Sequence, residues 1–183
     1  MSEVLDIRIV IEGCVAHSRK AQEYLYRQFY SYAMVIAQRY SRDDVDAADI
    51  VSQAFVKVFR SIRSFDETKA SFQTWLRRIV INEGLDHIKA RSKFGEEIEL
   101  EYEVKAAPNI HNAAIEQLNA KELMTMIQQL PPATHAVFIL YAVDGYNHRE
   151  IAEKLGISEG TSKWHLSEAR KILQQKLSQA TPS

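Results

Sequence analysis

Apolar residues recur every three or four positions through most of this 183-residue chain, and the residues that interrupt helices are scarce, with six glycines and four prolines. That spacing matches the turn of an α-helix, and no apolar–polar alternation long enough to specify a strand competes with it. The expected fold is therefore all-α. The clearest break runs from about Phe94 to Asn112, where Glu96, Glu97, Glu99, Glu101 and Glu103 are followed by Ala106, Ala107, Pro108 and Asn109 without sustained periodicity. It divides the chain into a small helical domain over residues 1–93, a flexible acidic linker over 94–112, and a second small helical domain over 113–183. The tail beyond Leu177 is expected to fray.

No run approaches the roughly 20 apolar residues of a membrane span, and the first residues lack the charged-then-apolar order of a signal peptide. Membrane insertion is not expected, and the cytoplasm is. The single cysteine, Cys14, cannot form an internal disulfide, and its helical surroundings suit a small buried or half-buried side chain. A net charge of -1 argues against nucleic-acid binding only if charge is evenly spread. It is not. From Arg60 to Lys93 the bases Arg60, Arg63, Lys69, Arg77, Arg78, Lys89, Arg91 and Lys93 outnumber the acids Asp66, Glu67, Glu83 and Asp86, and the acidic block follows directly.

Within the first domain, Ile50, Val51, Ala54, Phe55, Val58, Phe59 and Ile62 cover one side of a helix whose other side carries Asp49, Gln53, Lys57 and Arg60. A polar loop, Ser64 to Ala70, follows, and Ser71 is placed to cap a helix with the stripe Phe72, Trp75, Leu76 and Ile79. That helix carries Arg77, Arg78, Asn82, Lys89 and Arg91 away from the stripe. A basic helix behind an exposed loop suits a nucleic-acid surface, although a solvated charged face explains most such runs taken alone.

The second domain is more specific. Pro131-Pro132 opens a helix through Val137, Phe138, Leu140 and Tyr141, with Gly145 where a left-handed C-cap belongs. Asn147 stands three residues before Glu150, a capping-box spacing, ahead of a short helix bearing Ile151, Ala152 and Leu155. Gly156 ends it, Ser158 can cap the next helix, and Leu166, Ala169, Leu173 and Leu177 give that helix its apolar stripe. A short helix, a glycine turn and a longer helix make a helix-turn-helix. At about 100° per residue, Trp164, Ser167, Glu168 and Lys171 lie opposite the stripe with Thr161 and Lys163 on its flanks. An outward tryptophan is the unusual member, and packing against a neighbouring helix is its alternative.

The run "FDETKASFQTWLRRIVINEGLDHIKARSK" resembles the promoter-melting region of extracytoplasmic-function sigma factors, and "LPPATHAVFILYAVDGYNHREIAEKLGISEGTSKWHLSEARKIL" resembles their second conserved domain. With "DIVSQAFVKVF" the resemblance extends from about Tyr24 to Leu177. It implies RNA polymerase core and promoter DNA as partners, with an anti-sigma protein also expected. By matching position, Asp49, Ser52, Gln53 and Lys57 would meet the polymerase. The loop residues Asp66, Glu67, Thr68, Lys69 and Ser71, with Asn82, would receive a flipped base of the minus-ten element, and Arg77, Arg78, Lys89 and Arg91 would hold the surrounding DNA. Ser158, Thr161, Lys163, Trp164, His165, Ser167, Glu168 and Lys171 would serve the minus-thirty-five element. Trp75 also matches a family position, but its place on the stripe assigns it to the core. His135 and Glu168 stand where arginine is common, and Trp164 where a small polar residue is common, which puts the minus-thirty-five sequence in question.

Two other readings compete. The helix-turn-helix also resembles the DNA-binding end of response regulators, but a receiver domain would alternate strands and helices. An enzyme using His87, His135, His148 or His165 is disfavoured by their scatter and by the lack of metal-ligand spacing or a glycine-rich phosphate loop. Each histidine is expected on the surface or in a turn. No catalytic residue, metal or cofactor is assigned.

Overall fold

The computed structural model describes residues 6–90 and 120–180, so the acidic linker expected over 94–112, Arg91 and the start expected for the second domain lie outside the described residues. The chain separates into two compact units, Met1–His87 and Ile88–Ser183. Every regular element among the described residues is helical. The strand-and-helix alternation of a receiver domain is not there.

The first unit begins with α1 (Ile7–Val15) and α2 (Arg19–Ala37), capped by the side chains of Asp6 and Ser18. Between them His17 takes a left-handed φ of 59°, a conformation uncommon for a residue with a side chain. Helix α3 (Asp44–Ser61) starts where Asp43 accepts from the Asp46 amide at 2.8 Å, and Asp44 and Asp46 complement the positive end of its dipole. Its buried face is the expected one, Ile50, Val51, Ala54, Phe55 and Val58, continued by Ile62 in the short 3-10 turn Ile62–Ser64, while Phe59 is half-buried.

Helix α4 (Phe72–Ala90) is rotated relative to the expected stripe. Phe72, Leu76, Val80, Ile81, Leu85 and Ile88 are buried, whereas Trp75 and Ile79 are only half-buried at the margin. The shift has a steric origin. Gly84 lets the helix lie directly on the ring of buried Tyr40, which turns the Val80–Gly84 side inward.

In the second unit, α5 (Ala120–Gln128) precedes α6 (Pro132–Phe138), whose residues Ala133 to Val137 are all buried. A π-turn over Ile139–Val143 extends α6, with the Asp144 amide donating to Ile139 O at 3.0 Å. Such a turn inserts a residue into the helical register. Tyr141, expected on the apolar side, is therefore turned outward at 36% exposure and stacks on His148 with ring centroids 4.7 Å apart. Gly145 then takes the expected left-handed φ of 79°. The Asn147–Glu150 capping box is formed in both directions at the head of α7 (His148–Leu155), and Gly156 ends that helix at φ 71°. Ser158 caps α8 (Glu159–Ala180), accepting from the Thr161 amide at 2.9 Å, and Leu166, Ala169, Leu173 and Leu177 are buried as expected.

Candidate nucleic-acid and polymerase interfaces

On α3 the exposed residues Asp49, Ser52, Gln53 and Arg60 share one face at about 100° per residue. Val56 sits in the middle of this face at 42% exposure. Sequence reasoning missed it, because a lone valine among polar residues reads as a margin of the apolar stripe. Lys57 lies at the edge and is paired within the chain: its ammonium meets Glu83 of α4 and lies 3.5 Å from Asp86 Oδ2. Hydrogen bonding to Glu83 pushes the Lys57 pKa above its ordinary value.

The loop before α4 is organised by Asp66. Its Oδ1 accepts from the Thr68 hydroxyl at 2.6 Å and the Thr68 amide at 3.0 Å, the Asx-turn arrangement, and Oδ2 lies 3.3 Å from Lys69 Nζ. The Thr68 hydroxyl, foremost, holds the Asp66 carboxyl below its ordinary pKa. Glu67 pairs with Arg8 of α1 at 2.8 Å, an exposed contact worth less than about 1 kcal/mol. Ser71 caps α4, its Oγ accepting from the Thr74 amide at 3.2 Å. Several side chains expected to meet a base thus shape the loop that would meet it.

Beyond the loop, Trp75, Arg78, Asn82 and Lys89 fall within about 60° of one another around α4 and form an outward strip. Phe65 and Phe72 support the half-buried Trp75 at centroid distances of 5.4 and 5.8 Å, leaving it at the edge of the strip rather than closed in the core. Arg77 does not join the strip. It is half-buried and lies about 100° away, toward Val80 and Gly84. Nor do Asn82 and the loop converge on one pocket, since eleven residues of helix place Asn82 about 16 Å along the axis from Ser71. Ser71 and Asn82, expected at one site, thus lie at separate heights along α4.

On α8, Trp164, Ser167 and Lys171 face away from the buried stripe, with Lys163 and Glu168 on either side and Thr161 half-buried beyond. Glu168 and Lys171 lie 3.7 Å apart, which tempers the negative charge on this face. Trp164 is half-buried, its ring edge-on to His165 at 4.8 Å. His165 departs from the expected DNA-facing set: it is 2% exposed on the packed side of α8, and its Nδ1 lies 3.0 Å from Thr134 Oγ1 of α6. Burial lowers its pKa to about 4.

His135 and His148 also depart from the surface placement expected of them. His135 is 5% exposed, and His148 is half-buried with Nδ1 2.9 Å from the Oγ of buried Ser162. Histidine–hydroxyl links thus join α8 to α6 and to α7. Their sequence trace is faint: a histidine one turn from an apolar residue on the same helix. Among the described residues, no group of His, Cys, Asp and Glu could hold a metal ion, and no helix is long and apolar enough to cross a membrane.

Comparison with known proteins matches two segments of the chain. Sigma-70 region 2 matches residues 25–94, and Sigma-70, region 4 matches residues 120–173. The chain is 28% identical over 156 residues to the ECF RNA polymerase sigma factor SigE of Mycolicibacterium smegmatis, covering 84% of this chain and 60% of that protein. It is 25% identical over 187 residues to the ECF RNA polymerase sigma-E factor of Escherichia coli K12, covering 97% of each. Two solved structures share the fold: the sigma factor RpoE with the anti-sigma factor NepR from Bartonella quintana (TM-score 0.53, 22% identity, 87% of this chain and 98% of that one), and CnrH with the cytosolic domain of CnrY (TM-score 0.51, 21% identity, 96% and 100%).

Proposed function

The chain belongs to the sigma-70 family, in its extracytoplasmic-function branch, and is a transcription initiation factor; from that premise we propose how its surfaces divide the work. The domain over residues 1–93 docks RNA polymerase core through the α3 face and handles the minus-ten element along the loop and the α4 strip. The domain over 113–183 reads the minus-thirty-five element with α8, and residues 94–112 connect the two. The chain supplies recognition and no chemistry of its own, acts where polymerase acts, in the cytoplasm, and has an anti-sigma partner, as RpoE of Bartonella quintana does.

The observation that carries this reading is the capped helix-turn-helix, whose α8 turns Trp164, Ser167 and Lys171 away from a closed apolar core. Lys163 near the head of that helix and Lys171 about two turns further on meet phosphate or base edges, and ionised Glu168 is suited to accept from a cytosine amino group. Along α4, Asn82 and the loop hold separate points on the opened strand. A base leaving the stack costs a few kcal/mol, which fixed polar contacts recover.

Initiation on duplex and premelted promoters tests the division. Asn82→Ala is expected to reduce open complex on duplex about tenfold, in line with about 1–3 kcal/mol per recognised base, and to recover substantially on a premelted bubble. Lys171→Ala weakens engagement upstream and should gain little from the bubble. If Lys171 touches only phosphate, its removal lowers affinity for all sequences alike and reduces the salt slope by about one. Equal rescue of both variants would refute the separation. In core binding, Asp49→Arg is expected to cost about tenfold with helical content unchanged, and an unaltered affinity removes α3 as the docking face.

A further inference from the structure

We propose that Lys57, Glu83 and Asp86 form a latch that sets the register of α4 on α3, making Lys57 a positioning residue for the DNA strip rather than a polymerase contact. The inference rests on the reading of α3 as the polymerase face and α4 as the DNA face. Its physical basis is the burial of Glu83, whose side chain is only 10% exposed on the packed side of α4. An ionised carboxylate so far from water is strongly disfavoured unless a cation meets it. The Lys57 ammonium does so directly, and Asp86 Oδ2, 3.5 Å away on the next turn, holds that ammonium from a second side. Lys57 is 52% exposed along its side chain, so the pair lies at the surface margin of the α3–α4 seam with Glu83 as its nearly buried partner.

Apolar contact holds two helices together but registers them weakly, since burial of residues such as Val80, Ile81 and Leu85 is favourable without being directional. An ion pair with one nearly buried partner cannot slide. A one-turn shift, about 5.4 Å, would leave Glu83 without its cation. Asp46 Oδ2 near the start of α3 lies 3.6 Å from His87 Nε2, one turn beyond Glu83 on α4. Asn82 precedes Glu83 in sequence and points outward, so whatever fixes Glu83 fixes Asn82. Fixing register is the best-attested use of a buried ion pair.

The test replaces the pair by apolar groups of similar length, Lys57→Met with Glu83→Met, which removes the charges without stranding one of them. The full chain is assayed for thermal unfolding, affinity for polymerase core, open complex on a duplex promoter, and amide exchange across Arg78–Lys89. The double variant is expected to stay folded and to bind core within about twofold of wild type. It should form about tenfold less open complex and exchange the α4 amides faster. Lys57→Arg with Glu83 intact, which keeps the cation, should retain near wild-type opening and slow exchange. Wild-type opening by the folded double variant overturns the latch, and so does a tenfold or greater loss of core affinity, which would return Lys57 to the docking face. Asp49→Arg, assayed alongside, separates this failure from failure of the polymerase-face reading itself, because it does not touch the seam.

Discussion

Lowering the pH from about 7 to about 4 is expected to destabilise the helix-turn-helix unit by about 3 kcal/mol, while the α1–α4 unit changes far less over the same range. The cause is His165, buried between α6 and α8 against Thr134, with its folded-state pKa lowered to about 4 against an ordinary value of 6.5. A histidine whose folded pKa is depressed favours the native state fully above its unfolded pKa. As pH falls through about 6.5 the unfolded chain takes up a proton that the folded chain refuses. Stability then declines until the folded pKa, near 4, is reached, and the interval corresponds to about 3 kcal/mol at 1.36 kcal/mol per unit. His148 shifts in the same direction, by burial first and by the nearby Lys163 charge second. Asp66 in the first unit has the same sign but a lower window, since its lowered carboxyl pKa keeps its contribution in place until pH falls below its ordinary 3.8.

The two tryptophans, Trp75 in the first unit and Trp164 in the second, make the effect measurable within one chain. With Trp75→Phe, fluorescence follows the helix-turn-helix alone, and its urea midpoint should fall steeply between pH 7 and pH 4.5. His165→Gln keeps a neutral polar group near Thr134 and should flatten that dependence whatever it costs at neutral pH. A midpoint that holds constant with pH, with His165 in place, would show that the ring is protonated in the folded state at no cost.

Local signals were legible in the sequence wherever one residue type has one geometric solution. Gly145 and Gly156 take left-handed backbone, Asn147 and Glu150 close a capping box, and Ser71 and Ser158 cap helices, because each satisfies an orphan amide or supplies an unusual φ within a few residues. The face of α3 and the stripe of α8 followed from period alone. What was not legible depends on partners far along the chain. Nothing local to His165 announces Thr134, 31 residues away, and nothing around Lys57 announces Glu83. The rotation of α4 hung on the fit of Gly84 to Tyr40, and the outward turn of Tyr141 on one inserted residue in a π-turn. Asn82 and the loop looked like one pocket because matching positions carry no distance. Helical rise along α4 separates them.

Gly84→Ala is expected to destabilise the first unit by about 1–3 kcal/mol, the reverse of what the same change does on an open helix surface. In a solvated helix, alanine in place of glycine gains about 1 kcal/mol from backbone entropy. At Gly84 a Cβ would lie 2.6 Å from both Cβ and Cγ of Tyr40 and 3.0 Å from its Cδ2. Those atoms belong to the root of a ring only 2% exposed, so no flexible end can swing aside, and relief requires α4 to lift from the core. Gly160 near the head of α8 supplies the contrast, because its Cβ would meet only Ser158 Oγ, at 3.5 Å. Gly160→Ala should therefore raise the stability of the second unit by up to about 1 kcal/mol. The collision at Gly84 has a functional consequence under the proposed division of labour. Lifting α4 displaces Asn82 and strains the Lys57–Glu83 pair, so open-complex formation should fall about tenfold at a temperature where the variant is still folded. Core binding through the outer face of α3 should be nearly kept. Denaturant unfolding followed by Trp75 fluorescence in a Trp164→Phe background reads the stability change directly. An unfolding midpoint equal to or above that of the parent chain would mean that the Tyr40 ring yields cheaply and that the α4 seam is looser than its geometry implies.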